Sequence, residues 1–106
     1  GGVSTWEALH MGVPVVAKLG DVPVNRLSSA ILGSIGLSDW VAGSVDEYVS
    51  IAATRASTPE KLKALRHALA AKIAASASGN GALYTRAVEQ AYRAMWEDYC
   101  RRRRTV

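Results

Sequence analysis

The stretch that decides the fold is GGVSTWEALHMGVPVVAK, residues Gly1–Lys18. It begins with a glycine pair, continues through a short run of helical character and ends, after a further glycine, in a valine-rich run. We predict a helix over Ser4–Met11, with Ser4 as its N-cap and Glu7 completing a capping box three residues later. The continuous β-branched run predicts a strand over Val13–Ala17, covered on both sides as in a parallel sheet.

The glycine loop before this helix admits two interpretations. The first amides of a helix have no intrahelical partner and lie at the positive end of the helix dipole, so phosphates bind there. The loop offers the amides of Val3, Ser4 and Thr5, and Glu7 lies one turn further on, where a ribose diol could bind. Alternatively, Ser4 and Glu7 only cap the helix. The loop matches neither the G-x-G-x-x-G fingerprint nor a P-loop, and the residues alone leave both interpretations open.

The rest of the chain alternates helices with short extended runs. We predict, in order, a loop over Leu19–Asn25, a helix over Arg26–Ile35, a second short strand within Ser38–Ala42, a helix after Ser44 with a capping box to Glu47, a helix restarting at Thr58-Pro59-Glu60, a break over Ser76–Gly81 and a last helix over Ala82–Cys100. This order is typical of an α/β fold with about two short parallel strands and five helices. Two strands do not make a self-sufficient sheet, so we expect a helix-rich fragment of a larger domain.

Apolar spacing predicts a buried stripe on each of the four later helices. The predicted stripes are Leu27, Ala30, Ile31 and Ile35; then Val45, Tyr48, Val49 and Ala52; then Leu62, Leu65, Leu69 and Ile73; and, on the last helix, Tyr84, Val88, Ala91, Tyr92, Met95 and Tyr99.

The composition indicates a globular chain with a basic end. Of 106 residues, 49% are hydrophobic and 21% are charged, which is a globular rather than a disordered composition. The formal net charge is +4, and Arg101–Arg104 alone carry four positive charges, so the remainder of the chain is balanced. The single cysteine, Cys100, excludes an internal disulfide and favours a reducing, cytoplasmic location. No run is long and apolar enough to span a membrane, and the opening within a glycine-rich motif predicts a piece of a longer protein.

Few residues have the spacing that catalysis or metal binding requires. His10 has no acid or nucleophile beside it in the sequence, so we interpret it as structural. The carboxylates are scattered and no Cys/His cluster has zinc-ligand spacing, so we predict no catalytic residue and no metal site. Two further function classes stay open: a helical interaction module that uses the last helix, and a nucleic-acid contact through Arg101–Arg104.

The segment EALHMGVPVVA, Glu7–Ala17, resembles a segment of the GT-B glycosyltransferases. The preceding loop, Gly1–Thr5, looks like the Asn-Gly-x-Thr-Thr loop of the O-linked N-acetylglucosamine transferase family, which includes the SPINDLY-type proteins. The resemblance extends over nearly the whole chain, through Arg26–Ser29, Ile35–Leu37, Asp46–Ala52 and Ala91–Tyr99.

This resemblance implies the C-terminal part of a Rossmann-like GT-B lobe in a UDP-sugar-dependent protein O-glycosyltransferase. It implies residues 1–81 as part of the nucleotide-binding lobe, 82–100 as its closing amphipathic helix and 101–106 as a basic tail. Such enzymes are inverting, use no metal and no other cofactor, and transfer a sugar from UDP to protein Ser or Thr hydroxyls. The expected partners are therefore the UDP-sugar donor, the protein acceptor and the missing upstream lobe of the same chain, with no membrane and no nucleic acid.

By position, the resemblance implies that Gly2, Val3, Ser4 and Thr5 belong to the nucleotide-sugar site and that Glu7 holds the ribose. Gly2, Val3 and Ser4 would offer donors to the diphosphate. Val3 departs from the family pattern, because it lacks a hydroxyl and can contribute only its amide. The family's remaining site residues lie upstream of this stretch, so we expect no catalytic residue here and no activity from these 106 residues alone.

Overall fold

The computed structural model of the chain describes residues 1–104 and contains an α/β arrangement within that range. The helices are α1 (Val3–His10), α2 (Leu27–Ser34), α3 (Val45–Ala56), α4 (Pro59–Ala75) and α5 (Gly81–Arg104), the strands are β1 (Ala17–Lys18) and β2 (Val41–Ala42), and 3-10 turns span Pro23–Arg26, Ser38–Trp40 and Ala77–Gly79. The strands pair in parallel, with Ala17 opposite Val41 and Lys18 opposite Ala42. Five helices with two short parallel strands confirm the predicted α/β class.

The first strand is much shorter than its apolar run. Of the predicted Val13–Ala17, only Ala17 belongs to β1, and Val13 is 49% exposed, so the prediction of a strand covered on both sides is wrong at its beginning. β2 is only two residues long and offers no further ladder partner. In addition, Pro14 has no N–H to donate to a ladder.

The core lies where α1, α2 and α4 pack over the strands. Its buried members are Leu9, Ala17, Leu32, Ile35, Leu37, Trp40, Leu69 and Ile73. The predicted stripe of α4 is confirmed, because Leu69 and Ile73 are buried while Leu62 and Leu65 pack against the core from its edge.

The predicted stripe of α2 is confirmed for Ile31 and Ile35 and wrong for Leu27 and Ala30. Leu27 is 50% exposed, whereas Ser29 and Leu32 are buried. Ile35 of the predicted set is buried, and Ile31 is half-buried. The cause is that α2 contains apolar residues on more than one face, and packing against the strands selects one face that spacing alone does not distinguish.

Helix ends follow local residue chemistry. Gly12 (φ 75°) and Gly36 (φ 76°) stand just beyond α1 and α2 in the left-handed conformation that glycine adopts without strain, which confirms both as helix stops. Ser44 accepts a hydrogen bond from the Glu47 N–H at 3.1 Å, and the Glu47 carboxylate accepts one from the Gly43 N–H at 2.6 Å. The predicted helix start at Ser44 is therefore confirmed. The predicted proline-led start of α4 at Pro59 is also confirmed.

The predicted capping box at the start of α1 is wrong. α1 begins at Val3, its N-cap is Gly2, and no side chain caps it. Gly2 already has right-handed helical backbone angles (φ −91°, ψ −62°), so helical conformation starts two residues earlier than predicted. Ser4 therefore lies inside the first turn, where its hydroxyl is not in the N-cap position.

The predicted stripes of α3 and α5 are not buried. Val45 and Val49 of α3 are 64% and 59% exposed, and no residue of α3 or α5 is buried. The exposed large hydrophobic side chains of α5 are Leu83, Tyr84, Tyr92, Met95, Trp96 and Tyr99. α5 also continues past the predicted end at Cys100, so that Arg101–Arg104 are helical. Among the described residues, α5 packs mainly against the turn that precedes it.

None of the helices within residues 1–104 is long and apolar enough to cross a membrane.

Candidate functional site

The N-terminus of α1 presents backbone donors. The first hydrogen bond of the helix runs from the Trp6 N–H to the Gly2 carbonyl oxygen over 3.2 Å. The amides of Val3, Ser4 and Thr5 come before this donor, and the first amides of a helix have no helical acceptor. The helix dipole adds a partial positive charge at the same end. This end of α1 can therefore accept an anion.

An open cleft of about 380 Å³ lies beside this helix start. Its walls are Gly1, the segment 15–20 that contains β1, the residues Val24 and Asn25 of the following turn, and Ser28 of α2. In open α/β sheets, ligands bind beyond the carboxyl ends of the parallel strands. The cleft includes that end of β1 and Gly1, the residue before the N-cap of α1, but none of the five predicted site residues lines it.

Three oxygens join α1 to α2 at the edge of the cleft. The Thr5 Oγ1 donates to the Gly1 carbonyl at 2.6 Å, the Ser28 Oγ approaches the same carbonyl at 2.6 Å, and the two hydroxyl oxygens lie 2.8 Å apart. Thr5 is only 5% exposed. We refer to Gly1, Thr5 and Ser28 as the hydroxyl triangle.

The structure brings the five predicted site residues together on one helix end, but it exposes them differently. Val3 is 75% exposed, Ser4 and Glu7 are exposed, and Gly2 is half-buried. The Thr5 hydroxyl is engaged in the hydroxyl triangle, so the group that Thr5 can still offer a ligand is its amide. The assignment of these residues to a nucleotide sugar stays a prediction.

Sequence reasoning did not identify three polar residues of the cleft, Lys18, Asn25 and Ser28. Lys18 ends the valine-rich run, and its position follows from the parallel pairing with Ala42. Ser28 comes into contact with Thr5 across 23 residues of chain. No local sequence signal indicates the position of Lys18 in the cleft or the contact between Ser28 and Thr5.

His10 lies on the opposite end of α1 from the cleft. Its ring packs against Trp6, with the ring centroids 5.8 Å apart and the planes tilted by 38°. Within the described part of the chain, no group of three or more His, Cys, Asp or Glu side chains could hold a metal ion.

Comparison with known proteins finds similar proteins along almost all of the chain. The chain is 40% identical over 100 residues to the barley and rice proteins named probable UDP-N-acetylglucosamine–peptide N-acetylglucosaminyltransferase SPINDLY. It is 38% identical over 101 residues to the Arabidopsis thaliana protein of that name. The chain is similar to a segment of these SPINDLY-named proteins. The predicted resemblance is thereby confirmed, although no protein-family model matches the chain.

The match to the SPINDLY-named proteins covers nearly all of this chain but only a small part of each relative. It covers 94% of this chain but 11% of the barley and rice proteins. These relatives are named as glycosyltransferases, which confirms the predicted enzyme class for the family, and the chain corresponds to a small segment of them. The role of each residue in that segment is a separate question.

Proposed function

We propose that this chain forms part of the nucleotide-sugar site of a UDP-N-acetylglucosamine-dependent protein O-glycosyltransferase. The observation that carries the proposal is 40% identity over 94% of the chain to proteins named as such enzymes. We assign residues 1–81 to a Rossmann-like GT-B lobe, which the α/β arrangement supports, with 82–100 as its closing helix. The basic end, 101–106, continues that helix through Arg104, and residues 105–106 lie outside the described range. The lone Cys100 supports a cytoplasmic location.

The N-terminus of α1 supports a role at the donor's diphosphate. The amides of Gly2, Val3 and Ser4 lie at the positive end of the helix dipole, and Gly1, which precedes them, lines the cleft at the end of β1. Preorganised backbone donors stabilise negative charge that develops on a leaving group, and a UDP leaving group carries such charge. These residues would bind and stabilise, while the groups that move protons lie elsewhere in the longer protein.

Glu7 is our candidate for the ribose. Its carboxylate is exposed one turn beyond the amides, and a carboxylate accepts hydrogen bonds from a diol. Because Glu7 does not complete a capping box in the structure, its replacement leaves helix capping intact. Stability and ligand binding can therefore be separated at this position.

The test is a ligand–protein double-mutant cycle on the longer protein that contains this chain. UDP and 2′,3′-dideoxy-UDP are titrated calorimetrically into wild type, Glu7→Ala and the control Glu60→Ala, an exposed acid in the first turn of α4. We expect Glu7→Ala to weaken UDP about tenfold, since a hydrogen bond to a charged group is worth roughly 1.5–3 kcal/mol, and to leave the dideoxy analogue unchanged. Equal losses for both ligands would exclude a ribose contact, and no binding of UDP to the wild type would overturn the proposed function.

A second candidate function, a helical interaction surface on α5, is favoured by one observation. Tyr92, Met95 and Trp96 are 68%, 66% and 64% exposed, and contiguous exposed apolar side chains mark interaction sites. We assign another part of the same longer protein as the occupant, because the chain spans only 11% of the barley relative. Self-association lost on removing residues 84–100, with no response to UDP, would instead support a non-catalytic interaction module.

The nucleic-acid alternative gains no comparable support. Arg102 forms an ion pair with Asp98 at 2.8 Å, and the Arg103 guanidinium lies over the Tyr99 ring at 5.2 Å. These contacts lie within α5 itself and account for part of the arginine run as helix-end stabilisation, where cations favour the negative end of the dipole.

A further inference from the structure

We propose that a groove between α3 and α4 docks an extended acidic segment of a partner protein, in which two acidic residues flank an apolar one in the pattern acid-x-apolar-x-acid. The groove shares no lining residue with the cleft beside α1. It is therefore a second surface, and the proposal does not depend on the proposed function.

The groove has an apolar wall and basic side chains along α4. It encloses about 310 Å³ between the end of α3, one side of α4 and the 3-10 turn that precedes β2. The buried Trp40 and the half-buried Leu62 and Leu65 contribute the apolar wall, and Lys61 and Lys72 line the same groove. We call it the lysine-flanked groove. Its volume is at the low end of ligand pockets, which suits the side chains of a peptide better than a cofactor.

The charges of the lysine-flanked groove leave an excess of two positive charges. Arg55 pairs with the Asp39 carboxylate and also donates to the Asp39 carbonyl at 3.4 Å, so these two side chains balance each other. Lys61 and Lys72 are exposed, and neither forms an ion pair or a side-chain hydrogen bond with any residue in the range 1–104. A partner with two negative charges is therefore complementary to the groove.

The separation of the two lysines sets the spacing of the partner's acids. Lys61 and Lys72 are 11 positions apart on α4. This separation corresponds to about 16 Å along the helix axis and only about 20° around it. In an extended peptide, residues i, i+2 and i+4 share one face, and i to i+4 spans about 13 Å. The difference of about 3 Å lies within the reach of two flexible lysine stems, so acids at i and i+4 can meet both ammonium groups.

The apolar wall selects the residue between the two acids. Leu62 and Leu65 pack against the core from its edge and keep part of their surface in solvent. The side chain at i+2 of the docked segment faces this wall, and an apolar side chain there removes that surface from water. Exposed ion pairs alone contribute little, so acids without the apolar residue would bind weakly.

The experiment measures the binding of a fluorescein-labelled peptide, Glu-Ser-Leu-Ser-Glu with blocked ends, to the longer protein by fluorescence anisotropy. We expect Lys61→Gln and Lys72→Gln each to raise the Kd about three- to fivefold, as for exposed ion pairs. The double variant should raise it about ten- to twenty-fivefold, because the two lysines are far enough apart to act independently. The control, Lys63→Gln, removes the same charge from an exposed position of α4 outside the groove and should change the Kd less than about twofold.

Three further peptides test the pattern itself. Gln-Ser-Leu-Ser-Gln removes the charges, Glu-Ser-Ser-Ser-Glu removes the apolar residue, and Glu-Glu-Ser-Leu-Ser keeps the composition but places the acids side by side. Each should bind the wild type at least about fivefold more weakly than Glu-Ser-Leu-Ser-Glu, since each loses one element of the complementarity.

The substituted lysines are exposed, so the variants should keep the wild-type fold, which circular dichroism checks. An equal loss for Lys63→Gln, or equal affinity for the peptide with adjacent acids, would reduce the effect to the general basicity of α4 and overturn the docking site. Absence of binding to the wild type would also overturn it, including the case in which a second copy or another part of the longer protein already covers the groove.

Discussion

Arg55 of α3 lies over the indole ring of Trp40, with its guanidinium carbon 4.9 Å from the ring centroid, and also pairs with the Asp39 carboxylate. Trp40 is buried, whereas the Asp39 side chain is 61% exposed. A cation over an aromatic face contributes about 0.5–1 kcal/mol, and an exposed ion pair about 0–1 kcal/mol. The ring contact therefore contributes at least as much as the ion pair to holding α3, whose predicted apolar stripe is not buried.

From this geometry we expect Arg55→Ala to lower the free energy of local opening of α3 by about 1 kcal/mol, and Asp39→Ala by less than about 0.5 kcal/mol. Amide hydrogen exchange of peptides from 39–56 measures both. Arg86→Ala, on exposed α5, serves as a control that should leave α3 unchanged. An equal loss for Arg55→Ala and Asp39→Ala would show that the ion pair, not the ring, holds the helix.

The serines at the two predicted capping boxes should differ in effect. Ser44 accepts the Glu47 N–H, so Ser44→Ala should lower the free energy of unfolding by about 1 kcal/mol. Ser4 caps nothing, so Ser4→Ala should change it by less than about 0.5 kcal/mol. Urea denaturation of both variants distinguishes them. If Ser4→Ala lowered the free energy of unfolding as much as Ser44→Ala does, the capping box predicted from the sequence would be supported instead.

Two glycines of the α2 region should respond to alanine with opposite signs. Gly36 has φ 76° with open space around it, so Gly36→Ala should cost about 1–2 kcal/mol of stability through the backbone alone. Gly33 lies within α2, and an added Cβ would meet only the Ser38 Oγ at 3.7 Å, so Gly33→Ala should stabilise by about 0.5–1 kcal/mol. Gly36→Asn, which tolerates the left-handed conformation, should lose less than Gly36→Ala. Thermal unfolding measures all three, and a neutral Gly36→Ala would contradict the argument.

The α5 surface should be covered in the longer protein. Met95→Lys places a charge on the apolar side of α5. It should lower the free energy of unfolding of that protein by about 2 kcal/mol, because burying an apolar side chain of this size contributes about that much. Gln90→Lys lies about half a turn away around the helix and should have little effect. Thermal unfolding and limited proteolysis of the two variants provide the comparison. Equal melting temperatures would indicate that this side of α5 stays in solvent.

Local residue chemistry allowed several features to be predicted. The stops at Gly12 and Gly36, the cap at Ser44 and the start of α4 at Pro59 depend on neighbours within about four residues, so the sequence carries them. The prediction at Ser4 failed because Gly2 adopts helical angles. Glycine can adopt many backbone conformations, so its presence in the sequence does not indicate where the helix begins. Spacing offered Val3, Ser4, Thr5 and Glu7 as one of two interpretations of the glycine loop, and the family resemblance favoured that interpretation and added Gly2 to the candidate site.

By itself, the sequence determined the order of five helices and two short strands, their boundaries at the glycines and caps, and the resemblance to the SPINDLY-type transferases that the comparisons support. Only the tertiary structure decided which helix faces are buried, because amphipathic spacing shows that a face is apolar but not whether anything within reach covers it. It also decided the hydroxyl triangle, since Thr5 and Ser28 are separated by 23 residues and meet only when α1 packs beside α2. The glycine loop with which the chain begins is thus a local motif whose orientation depends on a distant contact.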